Sequence, residues 1–144
     1  MPKFIGFDHI DMRVPSLAEV EAFYDALLPA LGLSRTQYSH VDARGDWHDP
    51  DDDHPTNAKE YYEPKVAGRP SSFIGIIEDG SMHPTLTRIA FRAASRADLD
   101  DWEGRIVSFG ARRVERSADM DAYPALFFED PAGTKLELHA LDPS

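Results

Sequence analysis

The chain has 144 residues, of which 42% are hydrophobic and none is cysteine, and its formal net charge is −11. This length fits one domain, the lack of cysteine excludes disulfides, thiolate nucleophiles and zinc-finger sites, and the negative charge argues against nucleic-acid partners. No apolar run approaches the about 20 residues of a membrane span and no signal-peptide pattern is present, so we expect a cytoplasmic protein without a membrane partner.

The first half of the chain predicts a strand, a helix and three further strands. Side chains alternate through Gly6–Val14 as in a half-buried strand, and an apolar stripe follows a helix from Leu17 to Leu31. The further strands are expected near Arg35–Asp42, at Tyr61-Tyr62 and at Ser72–Glu78. Between them, Ala43–Pro55 is rich in Asp, Gly, Pro and His, which is typical of a long solvated loop.

The second half repeats this order after a linker at Asp79–Pro84. Its elements are a strand at Leu86–Ala93, a helix at Ala97–Phe109, and strands at Arg112–Ser117, Ala125–Glu129 and Lys135–Ala140. Arg88 and Ser95 follow His9 and Ser16 at the same interval, and both serines begin a capping-box pattern. We therefore predict a single α+β domain made of two βαβββ units, residues 1–80 and 81–144.

Three sequence segments, in order along this repeat, carry a resemblance to a known family. They are Asp8-His9-Ile10, Glu21-Ala22-Phe23-Tyr24 ahead of Leu31-Gly32, and the closing run FFEDPAGTKLEL at 127–138. With these segments the chain resembles the vicinal oxygen chelate superfamily, which includes glyoxalase I, extradiol dioxygenases, methylmalonyl-CoA epimerase, fosfomycin-resistance enzymes and bleomycin-binding proteins. The resemblance implies a half-open, eight-stranded mixed-sheet barrel.

The resemblance also implies a divalent metal (Zn, Ni, Mn or Fe) that activates a substrate with vicinal oxygens. The family's ligands come from the first and last strands of each unit, and here His9 and Glu137 match two of these four places. Gly75 or Ile77 stands at the third place and Arg88 at the fourth, and an arginine does not ligate metals. The expected metal site is therefore incomplete against the family pattern.

Strand alternation gives an independent prediction of the residues that face a cavity. If the apolar residues of the first and last strands face the helices, the open face carries charged groups from three strands. They are His9, Asp11, Arg13, Arg88, Arg92, Lys135, Glu137 and His139. We predict Glu137, His139 and Asp11 as catalytic residues, and we predict that Arg88, Arg13, Arg92, Phe127, Tyr62 and Trp47 bind the substrate.

Two alternatives stay open for these residues. His139 or Asp11 would complete a metal site with His9 and Glu137, or Arg88 would occupy the metal's place and pair with Glu137. A second cluster, with His40, His48 and His54 among six aspartates, fits either a Zn²⁺ or Ni²⁺ site or a solvated acidic loop.

Two functions compete at this level. The first is a small-molecule enzyme of the glyoxalase or dioxygenase type, with lyase, isomerase or dioxygenase chemistry. The second is a non-catalytic protein that sequesters a drug, as in the bleomycin-resistance branch of the family, where the acidic charge would attract a cation. In both cases the partner is a small molecule, and we expect a homodimer.

Overall fold

A computed structural model describes residues 1–141 of the chain. These residues divide into two compact units. The first unit contains residues 1–17 and 24–82, and the second contains residues 18–23 and the chain from residue 83 onward. No helix among the described residues is both long enough and apolar enough to cross a membrane.

The first unit is built on a five-stranded mixed sheet. In chain order the elements are β1 (His9–Val14), α1 (Leu17–Ala30), β2 (Arg35–Val41), β3 (Trp47–His48), β4 (Ala58–Tyr62) and β5 (Phe73–Glu78). Residues 18–23 of α1 are counted with the second unit. The strand order is β1-β5-β4-β2-β3, with β1 parallel to β5 and the other neighbours antiparallel.

The segment predicted as a loop, Ala43–Pro55, contains the short strand β3. It folds back on the end of β2, where His40 pairs with His48 and Val41 pairs with Trp47. The turn between them is held by Asp42, whose carboxylate accepts hydrogen bonds from the backbone N–H groups of Arg44 and Asp46. Two paired residues are too few to produce a visible alternation, so the sequence pattern did not reveal this strand.

The second unit is built on a four-stranded mixed sheet. Its elements are β6 (Arg88–Arg92), α2 (Asp98–Ser108), β7 (Arg112–Arg116), β8 (Ala125–Glu129) and β9 (Lys135–His139). The strand order is β6-β9-β8-β7, and β6 is parallel to β9. The turn before β9 has Gly133 at φ 98°, and its Asp130 carboxylate accepts hydrogen bonds from two backbone N–H groups.

The apolar residues of the first and last strands that alternation predicted to face the core are buried. Met12 and Val14 on β1, and Leu136 and Leu138 on β9, are buried. Their sequence neighbours therefore lie on the opposite face of each sheet. The α+β class with two βαβββ units is also confirmed. The described residues contain the eight predicted strands and one further strand, β3.

Candidate functional sites on the two sheet faces

On the open face of the first unit, one row of side chains crosses the sheet. Asp11 on β1 lies beside Gly75 on β5, Gly75 beside Glu60 on β4, and Glu60 beside Gln37 on β2. The row therefore places two carboxylates on one face, with a residue that lacks a side chain between them.

Glu60 is a buried carboxylate with both oxygens satisfied. Its side chain accepts one hydrogen bond from the Ser39 hydroxyl and one from the Tyr62 hydroxyl, and the residue is 6% exposed. Burial and the hydrogen bond to Glu60 raise the pKa of Tyr62 to about 12, so this phenol stays protonated and keeps donating at neutral pH. Glu60 is therefore a carboxylate held in place by two hydroxyl donors.

Glu60 contributes to the wall of a cavity of about 410 Å³ in the first unit. The lining residues include two carboxylates and no Lys or Arg, namely His9, Gln37, Ser39, Trp47, His48, Asp49, Glu60 and Phe73. The His9 ring stacks on Phe73 at 4.6 Å between centroids. A Cβ on Gly75 would lie 3.1 Å from the Trp47 ring, so the glycine is what lets Trp47 approach the sheet.

The other predicted residues of this unit have local partners. His9 Nδ1 lies 2.7 Å from an Asp8 carboxylate oxygen, and His9 Nε2 lies 3.8 Å from Asp11 Oδ2. Arg13 pairs with Asp79 at 3.5 Å. Arg13 is therefore engaged by a carboxylate, and its predicted role in substrate binding would require that pair to open.

The second unit has an equivalent row with a different placement of its carboxylate. Ala90 on β6 lies beside Glu137 on β9, Glu137 beside Phe127 on β8, and Phe127 beside Glu115 on β7. The buried glutamate thus stands on the last strand of this unit, whereas in the first unit it stands on the strand before the last.

Glu137 is 5% exposed, and only one of its oxygens is hydrogen-bonded within residues 1–141. Its Oε1 accepts a hydrogen bond of 2.7 Å from the Tyr123 hydroxyl, and this bond, together with burial, raises the pKa of Tyr123. Because that phenol stays protonated at neutral pH, it orients the carboxylate and leaves Oε2 available to another partner.

Arg88 does not pair with Glu137, so the predicted ion pair between them is absent from the described part of the chain. The Arg88 guanidinium lies over the Phe127 ring, 4.8 Å from its centroid, and no carboxylate within residues 1–141 is at ion-pair distance from it. Arg88 is nevertheless close enough to Tyr123 for its charge to act on that phenol's pKa, in the lowering direction.

His139 and Arg92 lie together at one end of this face, where they line a cavity of about 170 Å³. The His139 ring stacks on Tyr123 at 4.1 Å between centroids. Its Nε2 is buried and has no hydrogen-bond partner among the described residues. A buried imidazole nitrogen without a partner is a candidate for proton transfer, and the catalytic role of His139 stays a prediction.

Comparison with known proteins identifies the family. The model for the Glyoxalase/Bleomycin resistance protein/Dioxygenase superfamily matches residues 6–138. The chain belongs to this superfamily. No curated protein sequence matches this glyoxalase-superfamily chain.

Solved structures with the same fold include fosfomycin resistance proteins. FosX from Listeria monocytogenes, in a complex with Mn(II) and sulfate, is 25% identical with a TM-score of 0.58, and the match covers 97% of this chain and 95% of that one. FosX from Mesorhizobium loti is 14% identical with a TM-score of 0.59, covering 97% and 95%. A glyoxalase/bleomycin resistance protein from Albidiferax ferrireducens T118 is 20% identical with a TM-score of 0.60, covering 94% and 98%.

The residues of this chain do not fit the family's four-ligand metal set. Gly75 offers no side chain, and a Cβ there would lie 2.9 Å from Asp11 Oδ1. Arg88 has no lone pair to donate to a metal. No group of three His, Asp or Glu side chains within residues 1–141 is arranged to hold a metal ion, and this includes the cluster of His40, His48 and His54. His9 and Glu137 remain a predicted ligand pair, fewer than the three protein ligands of a typical catalytic metal site.

Two residues of these faces were not predicted from the sequence, namely Glu60 and Tyr123, the hydrogen-bond partner of Glu137. The strand that carries Glu60 was predicted only at Tyr61-Tyr62, whereas β4 begins at Ala58. Had the strand been extended by three residues, Glu60 would have alternated with Tyr62 onto the open face. Tyr123 precedes β8 in the sequence, and no local pattern relates it to Glu137.

Proposed function

We propose that this protein is a small-molecule enzyme of the glyoxalase superfamily that isomerises a substrate with vicinal oxygens by proton transfer. The observation that carries this proposal is the state of Glu137, a buried carboxylate with Oε1 held by Tyr123 and Oε2 unpaired among the described residues. A general base needs this combination of fixed orientation and one available oxygen.

The proposed reaction begins when Glu137 Oε2 removes a proton from a carbon next to a carbonyl group. The electron pair of the C–H bond forms a carbon–carbon double bond, and the carbonyl π pair moves onto oxygen to give an enediolate. Arg88, whose guanidinium has no carboxylate partner among residues 1–141, stabilises this oxyanion. Glu137 returns the proton to the adjacent carbon, so no oxidant or reductant is consumed.

His139 is proposed to relay the second proton between the two oxygens of the substrate. Its unpaired Nε2 is the supporting observation. Asp11 and His9 lie on the first unit's sheet, where their catalytic and metal-binding roles stay predictions. A divalent metal, a cytoplasmic location and a homodimer also stay predictions for this chain.

The test is exchange of substrate protons for deuterium. Wild-type protein in D₂O is incubated with a panel of α-hydroxy aldehydes and ketones, and loss of the α-proton signal is followed by NMR. We expect Glu137→Gln to slow the exchange by about 10²–10⁴-fold. Glu103→Gln, which removes a carboxylate from α2, is the matched control and keeps the wild-type rate. Equal rates in all three proteins would overturn the assignment of Glu137.

A second candidate function is supported by the first unit. Its cavity of about 410 Å³ combines Trp47 and Phe73 with the carboxylates of Asp49 and Glu60 and has no Lys or Arg in its lining. Such a surface favours an aromatic cation, held by ring faces and negative charge. If the protein sequesters a cationic drug, binding will weaken steeply with salt, no deuterium exchange will be catalysed, and Trp47→Ala will abolish binding.

A further inference from the structure

One residue of the second unit, Arg113, has an unusual backbone conformation beside a cavity that also contains Arg88. Arg113 has φ 49°, the only positive value among the non-glycine residues of the described chain. Left-handed backbone is unfavourable for a side chain with a Cβ and persists where the surrounding structure requires it. The left-handed conformation of Arg113 therefore has a cause in the surrounding structure.

A β-bulge accounts for the conformation. Arg112 pairs with Glu129 and Glu115 with Phe127, so two residues of β7, Arg113 and Val114, lie opposite the single residue Phe128. Bulges bend a strand and redirect its side chains. Here Arg113 lines a cavity of about 190 Å³ together with Arg88 and Lys135.

Cationic residues outnumber acidic ones in the lining of this cavity, in a chain whose net charge is −11. Three of its lining residues are cationic and two, Glu115 and Glu129, are acidic. Glu129 lies 2.9 Å from Lys135 and 4.0 Å from Arg113, so one carboxylate is shared between two cations. Arg88 is the cation of this cavity that has no carboxylate partner within residues 1–141, and an anionic ligand would supply the missing counter-charge.

Arg88 adds the geometry for recognition. Its guanidinium carbon lies over the Phe127 ring, 4.8 Å from the centroid, and no carboxylate within residues 1–141 pairs with it. A guanidinium that contacts a ring and has no carboxylate partner keeps N–H donors for bidentate bonds to an oxyanion.

We propose that Arg88, Arg113 and Lys135 form a subsite for an oxyanion group of the ligand, a carboxylate or a phosphoryl group. The subsite deepens the proposed function because Arg88 belongs to both, and it rests on that function for the identity of the whole substrate. Arg113 is its specificity-determining residue, and the β7 bulge holds it in place.

The experiment titrates the complete protein with inorganic phosphate, and separately with acetate, at constant ionic strength. Binding is followed through the NMR signals of the arginine Nε–H groups. Arg113→Gly removes the guanidinium while accepting the left-handed backbone, and Arg113→Asn does the same with a side chain that tolerates this conformation. Arg105→Gln, on α2, removes the same charge outside the subsite.

We expect both Arg113 variants to weaken phosphate binding about tenfold, the loss of one charge-assisted contact, and Arg105→Gln to leave it within twofold. Tighter binding of acetate than of phosphate would identify the group as a carboxylate, and the reverse as a phosphoryl group. No binding to the wild type, or equal losses in the Arg113 and Arg105 variants, would overturn the subsite. Deuterium exchange lost in Glu137→Gln despite that result would leave the proposed function standing.

Discussion

The two sheet faces of this protein share a topology but treat their buried glutamates differently. In the first unit, Glu60 accepts hydroxyl donors at both oxygens. In the second, Glu137 has Tyr123 at Oε1 and no partner at Oε2 among the described residues. The charge differs as well. The cavity of about 410 Å³ in the first unit has no Lys or Arg in its lining, whereas the cavity of about 190 Å³ in the second unit has three such residues.

The difference shows how one repeated unit supports two chemical environments. A carboxylate that accepts hydrogen bonds at both oxygens is fixed in place, whereas a carboxylate with one available oxygen can accept a proton. Glu60 stands on β4, the next-to-last strand of its unit, whereas Glu137 stands on β9, the last strand of its unit. The repeat therefore supplies the scaffold, and the hydroxyl donors around each glutamate determine its availability.

The largest stability effect should distinguish the two glutamates. Glu60→Leu leaves the hydroxyls of Ser39 and Tyr62 without an acceptor and is expected to lower the free energy of unfolding by about 2–5 kcal/mol. Glu137→Leu leaves only the hydroxyl of Tyr123, a residue that is 43% exposed, without its acceptor and is expected to cost about 1 kcal/mol. Urea unfolding of both variants measures the two losses. Similar losses would contradict the asymmetry between the two sites.

A smaller effect is expected where Trp47 lies against the sheet. Gly75→Ala adds a Cβ 3.1 Å from the Trp47 ring and 2.9 Å from Asp11 Oδ1, so one of them must shift, at a cost of about 1–3 kcal/mol. Trp47 fluorescence and the unfolding midpoint report the change. Gly80→Ala is the control, because nothing lies within 4 Å of its added Cβ. A Gly75→Ala protein identical to the control would show that Trp47 does not pack there.

The smallest effect concerns pH and the turn that carries Trp47. A hydrogen bond from His48 is the main cause that lowers the pKa of Asp42 from 3.8 to about 2. Because the folded-state pKa is depressed, Asp42 stabilises the fold above about pH 4, and this contribution is lost as pH falls toward about 2. Thermal unfolding across this range should show a shallower loss for Asp42→Asn than for the wild type, with Asp53→Asn as the control. Matching profiles for Asp42→Asn and the wild type would rule out this linkage.

The sequence predicted one of the two glutamates, and the reason is physical. Around Glu137, the apolar neighbours Leu136 and Leu138 mark the buried face and leave the glutamate on the other. Around Glu60, the inward neighbours are Tyr61 and Lys59, and Lys59 is 7% exposed and pairs with Asp25 at 2.8 Å. A buried lysine looks like a surface residue in the sequence, so β4 lacked the apolar alternation by which strands are recognised.

Side-chain partners within irregular segments were also beyond prediction. The stacking of His48 on His54, at 4.2 Å between centroids, and the hydrogen bond of His48 to Asp42 depend on the path of an irregular segment. Arg113 lines its cavity only because of one extra residue in β7. Strand periodicity predicts faces, but it does not predict bulges or the course of loops.

The most direct test of the account compares the two glutamates in one assay. Exchange of the substrate α-proton in D₂O is measured for the wild type, Glu137→Gln and Glu60→Gln, each at the same folded concentration. The account predicts a loss of at least about 100-fold for Glu137→Gln and a change of no more than a few-fold for Glu60→Gln. A large loss for Glu60→Gln with exchange retained in Glu137→Gln would contradict it and move the reaction to the first unit.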